Sequence, residues 1–99
     1  MNPIKMNEKF TASTLKNPMF PDQVEMGEKG VNFRIRKAFS STENFVFYSD
    51  IAGVEIDAGM FWATIRIKAR AREHEIVISN FAKRDAQQIK QIILERSHV

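Results

Sequence analysis

Residues 76–97 read IVISNFAKRDAQQIKQIILERS, and within this stretch the hydrophobic period changes from that of a strand to that of a helix. Ile76 and Ile78 alternate with polar neighbours. Ala86, Ile89, Ile92 and Ile93 then fall three and four apart, which predicts one apolar stripe on a helix spanning Ala82 to Ser97. Lys83, Arg84, Gln87, Gln88, Lys90 and Gln91 make its polar face. Asn80 stands where a cap is expected, and Asp85 lies in the first turns, where a negative charge suits the helix dipole. Burying three isoleucines contributes about 1.5–3 kcal/mol each, enough to hold such a helix across a sheet. A sheet with one fully apolar face needs that lid.

The strands are read by moving upstream. Phe61, Ala63, Ile65, Ile67 and Ala69 take one face of a strand; Trp62, Thr64, Arg66, Lys68 and Arg70 take the other. Arg72-Glu73-His74 turns the chain into the strand of Ile76 and Ile78. Asp57-Ala58-Gly59 is expected to be a three-residue hairpin loop with glycine in the left-handed conformation. A strand over Asp50 to Asp57 bends near Ala52-Gly53, where glycine permits a bulge. Phe45 to Ser49, dense in aromatics, reads as a strand buried on both faces, and Ser40 to Asn44 has loop composition. Val31, Phe33 and Ile35 alternate with Asn32, Arg34 and Arg36. Further upstream Pro3, Pro18 and Pro21 break the chain into short pieces, with strands expected at Phe10–Leu15 and Gln23–Met26 and a turn at Gly27–Gly30. Residues 1–9 are expected to fray, leaving one domain over 10–99. The fold class is α+β and mostly β: a strongly bent antiparallel sheet or half-barrel of about seven strands, closed by one C-terminal helix.

Ninety-nine residues suffice for a single hydrophobic core, and an apolar fraction of 43% is that of a globular chain. The sequence has no cysteine, which excludes a disulfide framework, cysteine-ligated zinc, iron–sulfur clusters and thiol catalysis. The N-terminal residues lack a continuous apolar core of the signal-peptide kind, and no stretch approaches the roughly 20 apolar residues of a membrane-spanning helix. The chain is therefore expected in the cytoplasm, with peripheral attachment to a membrane as the furthest departure. Its net charge of +3 is mild and by itself names no partner.

The order of seven strand candidates and one closing helix resembles the pleckstrin-homology (PH) type of fold, and the bacterial PH-like domains more specifically. Tyr48-Ser49-Asp50-Ile51-Ala52-Gly53-Val54-Glu55 is similar to the middle segment of those domains, and Ile76 to Ala86 to their junction of last strand and helix. The resemblance covers about residues 30–97. It implies a bent sheet with the helix across one open end, and no single activity, since such domains bind lipids, peptides or one another. Two departures stand out. Trp62 lies in a strand, whereas eukaryotic members carry a tryptophan in the closing helix. The stretch matching their phosphoinositide-binding hairpin, Phe10 to Met26, has Lys16 as its one cation, so that specificity does not carry over.

Candidate functional residues are few. Arg34 and Arg36 share the polar face of one strand, and Arg66, Lys68 and Arg70 that of another. If both faces lie on one side of a single sheet, five cations form a patch with Trp62 as an aromatic anchor, suited to phosphates of a lipid surface or nucleic acid, or to an acidic protein. The plain reading is a solvated outer face offset by Glu55, Asp57, Glu73 and Glu75. Asp50, Glu55 and Asp57 have no histidine among them to make a metal or acid–base site. His74-Glu75 opens like a zinc-protease helix motif but meets Ile78 where the second histidine belongs, and His98 is in the tail. No nucleophile elbow or phosphate-cradling glycine loop is present. The expectation is a non-catalytic module with no cofactor. It would act through protein–protein contact, with another protein or with itself, at the sheet face around Trp62 or at an unpaired strand edge. Binding of an anionic phospholipid surface or nucleic acid through the basic residues is the alternative.

Overall fold

A computed structural model describes residues 8–13 and 19–97. Thr14 and Leu15 of the predicted first strand, Pro3, Lys16, Pro18 and His98 lie outside them, while Ala12 and Ser13 follow β1 as non-strand residues. Among the described residues seven strands precede one helix: β1 (Glu8–Thr11), β2 (Gln23–Met26), β3 (Gly30–Arg36), β4 (Ser41–Phe47), a 3-10 turn (Tyr48–Asp50), β5 (Ile51–Ala58), β6 (Trp62–Ala69), β7 (Ile76–Ala82) and α1 (Lys83–Ser97). The fold is a mostly-β α+β domain, as the alternation and the final stripe require. The strands form two antiparallel sheets, in the orders β1-β2-β3-β4 and β5-β6-β7, and the sheets are not closed. The single bent sheet expected from sequence is thus divided, because the 3-10 turn redirects the chain between β4 and β5 before a ladder can form. One backbone bond, Ser13 N donating to Asn80 O at 2.8 Å, joins the end of β1 to β7.

The inner faces supply one core. Val24, Met26, Val31 and Phe33 come from the first sheet, Ile65, Ile67, Ile78 and Phe81 from the second, and Ala86, Ile89 and Ile93 from the helix, all fully shielded from solvent. Ile92 packs against this cluster from the helix edge. The helix begins one residue later than predicted, and its stripe buries the residues its spacing selects.

Asn80 is no cap. It lies within β7 at φ 69°, in the left-handed region that asparagine tolerates better than most residues. The register slips here: Ile78 faces Ile65 but Phe81 faces Ala63, so β7 has one residue more than β6 across this stretch. That bulge decides the core. Strict alternation from Ile76 and Ile78 would turn Asn80 inward; the extra residue turns Phe81 inward instead. A branched side chain at this φ is strained. Asn80→Val is expected to lose about 1–2 kcal/mol of stability in urea unfolding while Asn80→Gly stays near neutral; equal behaviour of the two variants would refute the bulge. A second register break, between Ile51 and Gly53 in β5, brings both Ile51 and Val54 inward, as the expected bend allows.

Four other sequence expectations are corrected. Glu8 and Lys9 are not frayed but pair with Met26 and Glu25, since β2 offers them a complete ladder. Ser41 to Asn44 are strand rather than loop: they pair with Arg36 through Phe33 at the sheet's margin, where exposure on both sides permits polar residues. Phe45 and Phe47 are 51% and 56% exposed, so their strand is wet on its outer face. The β5–β6 hairpin turns at Met60-Phe61, with Gly59 N donating to Trp62 O at 2.8 Å. No described glycine has positive φ, and Phe61 is exposed at the tip.

Candidate functional site

The basic residues do not assemble. Arg34 and Arg36 lie on β3 in the four-stranded sheet, whereas Arg66 and Lys68 lie on β6 in the other sheet and Arg70 just beyond it. Arg34, Arg66 and Lys68 are also paired with carboxylates. Register sets Gln23, Arg34 and Glu43 in one row across β2, β3 and β4. Arg34 Nε bonds Glu43 Oε2 at 3.1 Å and its Nη1 donates to Gln23 Oε1 at 3.1 Å. Arg66 Nε meets Asp57 Oδ2 at 2.7 Å and its Nη1 lies 3.6 Å from Glu75, which Lys68 Nζ approaches to 3.9 Å. The hydrogen bond and charge of Asp57 hold the Arg66 guanidinium above its ordinary pKa. Arg70 Nη1 donates to the carbonyl of Ser49 at 2.7 Å, pinning the 3-10 turn. Trp62 is half-buried at the start of β6, opposite Ala82.

Among the described residues no group of three or more histidines, aspartates or glutamates converges as metal ligands do. A cavity of about 580 Å³ runs along the helix flank of Gln87, Lys90, Gln91, Leu94 and Glu95 and gathers no acid, base and nucleophile set. No described helix is long and apolar enough to cross a membrane.

The two sheets have four edge strands, β1, β4, β5 and β7. Each unpaired edge presents backbone donors and acceptors that another strand can use, and proteins guard such edges with bulges, prolines, inward charges or cover. β7 carries the Asn80 bulge, and its carbonyl there is taken by Ser13 at the end of β1. β1 is further held by Glu8, whose Oε1 accepts from Arg96 Nη2 at 3.3 Å. β5 contains the Ile51/Gly53 register break and is the strand on which the helix chiefly packs. Among the described residues β4 alone has none of these: it pairs regularly with β3 over seven residues, contains no proline and no lysine, and bears one charge, Glu43.

The outer face of that edge is aromatic. The rings of Phe45 and Phe47 lie 5.2 Å apart at 89°, an edge-to-face pair standing in solvent. Phe45 lies over Gly30 and, with Glu25, Gly27 and Asn32, lines a shallow cavity of about 240 Å³. Glu43 beside it accepts from Asn32 Nδ2 at 3.0 Å as well as from Arg34, and these bonds hold its carboxyl below the usual carboxylate range. The one charge on the edge is therefore already satisfied. Sequence reading missed Phe45 and Phe47 because aromatic density suggested burial. The signal available was their shared parity with Glu43, which places all three on one face.

No protein-family model matches this chain, and no curated protein matches it either.

Proposed function

We propose that this chain is a non-catalytic binding or assembly module of PH-like type, acting through protein–protein contact at the β4 edge. The unguarded, aromatic-faced β4 carries the reading. Strand addition at such an edge gains main-chain hydrogen bonds for affinity and side-chain contacts on alternate positions for selectivity. Phe45 and Phe47 would be the anchors, since large rings leaving water dominate contact energies and each ring is already oriented by the other. The order of strands and closing helix supports the PH-like assignment. The two-sheet division with a capping helix fits a scaffold whose rigid core holds one edge out to solvent.

The test is a photocrosslinking phenylalanine analogue at position 45 in the full chain, in cells that produce it. A covalent adduct is expected from position 45 and none from a control analogue at Glu55 on the outer face of the other sheet. Equal adducts from both positions, or none from 45, would refute β4 as the working edge.

A further inference from the structure

We infer that the strand received at β4 is the β4 of a second copy of this chain, docked antiparallel about a two-fold axis through Asn44. This rests on the reading of β4 as the binding edge. The hydrogen-bond phase of β4 is fixed at both ends, by Lys37 N donating to Ser40 O at 2.8 Å and Tyr48 N donating to Lys29 O at 3.0 Å. Counting from these, Thr42, Asn44 and Val46 turn their backbone groups toward β3, and Ser41, Glu43, Phe45 and Phe47 turn theirs outward.

Antiparallel self-pairing must match outward residues with outward residues, which leaves few registers. An axis at Asn44 uses the strand over its whole length. Ser41 falls opposite Phe47 of the second copy and Glu43 opposite Phe45, and the outward pairs exchange about eight hydrogen bonds. An axis at Glu43 would instead set two carboxylates face to face. With the axis at Asn44 each Glu43 stays on its own Arg34 and meets a ring. Phe45 and its copy become diagonal neighbours, within reach of one another, and with the two Phe47 side chains they form one aromatic strip across the joined sheets. Arg72, whose Nη1 donates to Asn44 Oδ1 at 3.2 Å, comes toward its copy near the axis; this is the like-charge approach of the pairing, and salt screens it.

What favours a second copy over a foreign strand is closure. An isologous pair consumes both β4 edges in one interface, and the three other edges are each bulged, bonded or covered, so growth stops at two. An aromatic edge without a guard is otherwise an aggregation template. Self-pairing is the guard.

Sedimentation equilibrium on the full chain is expected to show mass doubling with rising concentration, persisting in high salt, and loss of the doubling in Phe45→Lys. A second measurement does not depend on that variant's folding. The chain has no cysteine, so Asn44→Cys introduces a lone thiol. Facing Cα atoms at the axis would lie about 4.5 Å apart, within disulfide reach, whereas Thr42→Cys would place its thiols' Cα atoms roughly 13 Å apart. Mild oxidation should therefore crosslink Asn44→Cys and not Thr42→Cys. A single-chain mass at every concentration, or equal crosslinking of both variants, overturns the two-fold pairing. If the adduct formed at position 45 then proves to hold a different protein, β4 remains the binding edge and only the second copy falls.

Discussion

Phe81→Ala is expected to remove about 3–5 kcal/mol of folding stability, the range for truncating a fully buried phenylalanine. A domain of this length holds about 5–15 kcal/mol in total, so the variant should be marginal or unfolded at room temperature. The position explains the size of the effect. Phe81 has no solvent exposure and stands in a row with Ala58 and Ala63, whose small side chains leave room for its ring. It also closes β7 directly before the helix, in the same cluster as Ile89 and Ile93. Nothing nearby can collapse into the space without shifting the helix. Phe81→Leu, which keeps most of the volume, should cost far less. Urea unfolding followed by circular dichroism would decide it; a loss below about 1 kcal/mol for the alanine variant would mean that the bulge does not deliver Phe81 to the core.

Gly30→Val should be the second severe change, at about 3 kcal/mol or more, through crowding rather than a void. A Cβ built at Gly30 would sit 2.5 Å from Phe45 Cζ and 2.5 Å from the main-chain oxygen of Val46. The ring belongs to an exposed side chain and can swing away. The carbonyl belongs to the β3–β4 ladder, with Val46 paired to Val31, and cannot. Gly30→Ala is therefore expected to stay destabilising in a Phe45→Ala background. If removing the ring made alanine harmless at position 30, the ring and not the carbonyl would be the obstacle. The comparison needs only unfolding midpoints of four proteins.

These two positions mark what was readable in the sequence and what was not. The period of two found β3, β6 and the start of β7, and the three-and-four spacing found the helix and its buried face, because one-sided burial writes itself into residue order. β4 was read partly as loop. An edge strand wet on both sides at its start has no reason to alternate, and Ser41-Thr42-Glu43-Asn44 therefore carries no burial signal. The slip at Asn80 was hidden for a related reason: a bulge appears in sequence only as apolar positions three apart, Ile78 and Phe81, in a strand that otherwise steps by two. The basic stripe failed at a different level. Arg34 and Glu43 face each other across a hairpin, while Arg66 faces Glu55 and reaches Asp57 diagonally, so both ion pairs become legible once the turns at residues 38–39 and 60–61 are placed. Which sheet each strand joins cannot be counted from residue order, and that alone separated Arg34 and Arg36 from Arg66, Lys68 and Arg70. The shared parity of Glu43, Phe45 and Phe47 put them on one face, but that the face belongs to an edge strand follows only from the pairing.

The last turn of the helix has a kinetic consequence. Arg96 donates to the Gly27 carbonyl and to the Tyr48 hydroxyl, which itself donates to Gly27 O at 2.6 Å, and reaches Glu8, 88 positions away in the chain. The hairpins on either side can zip from their own turns, each closing a short loop. The Arg96 clasp must instead close a loop spanning nearly the whole polypeptide, and the entropy of that closure falls due only when both sheets and the helix are in place. It therefore belongs to the final stage of folding and is the first thing lost on the way out. A contact made that late slows unfolding and leaves the rate of folding nearly unchanged.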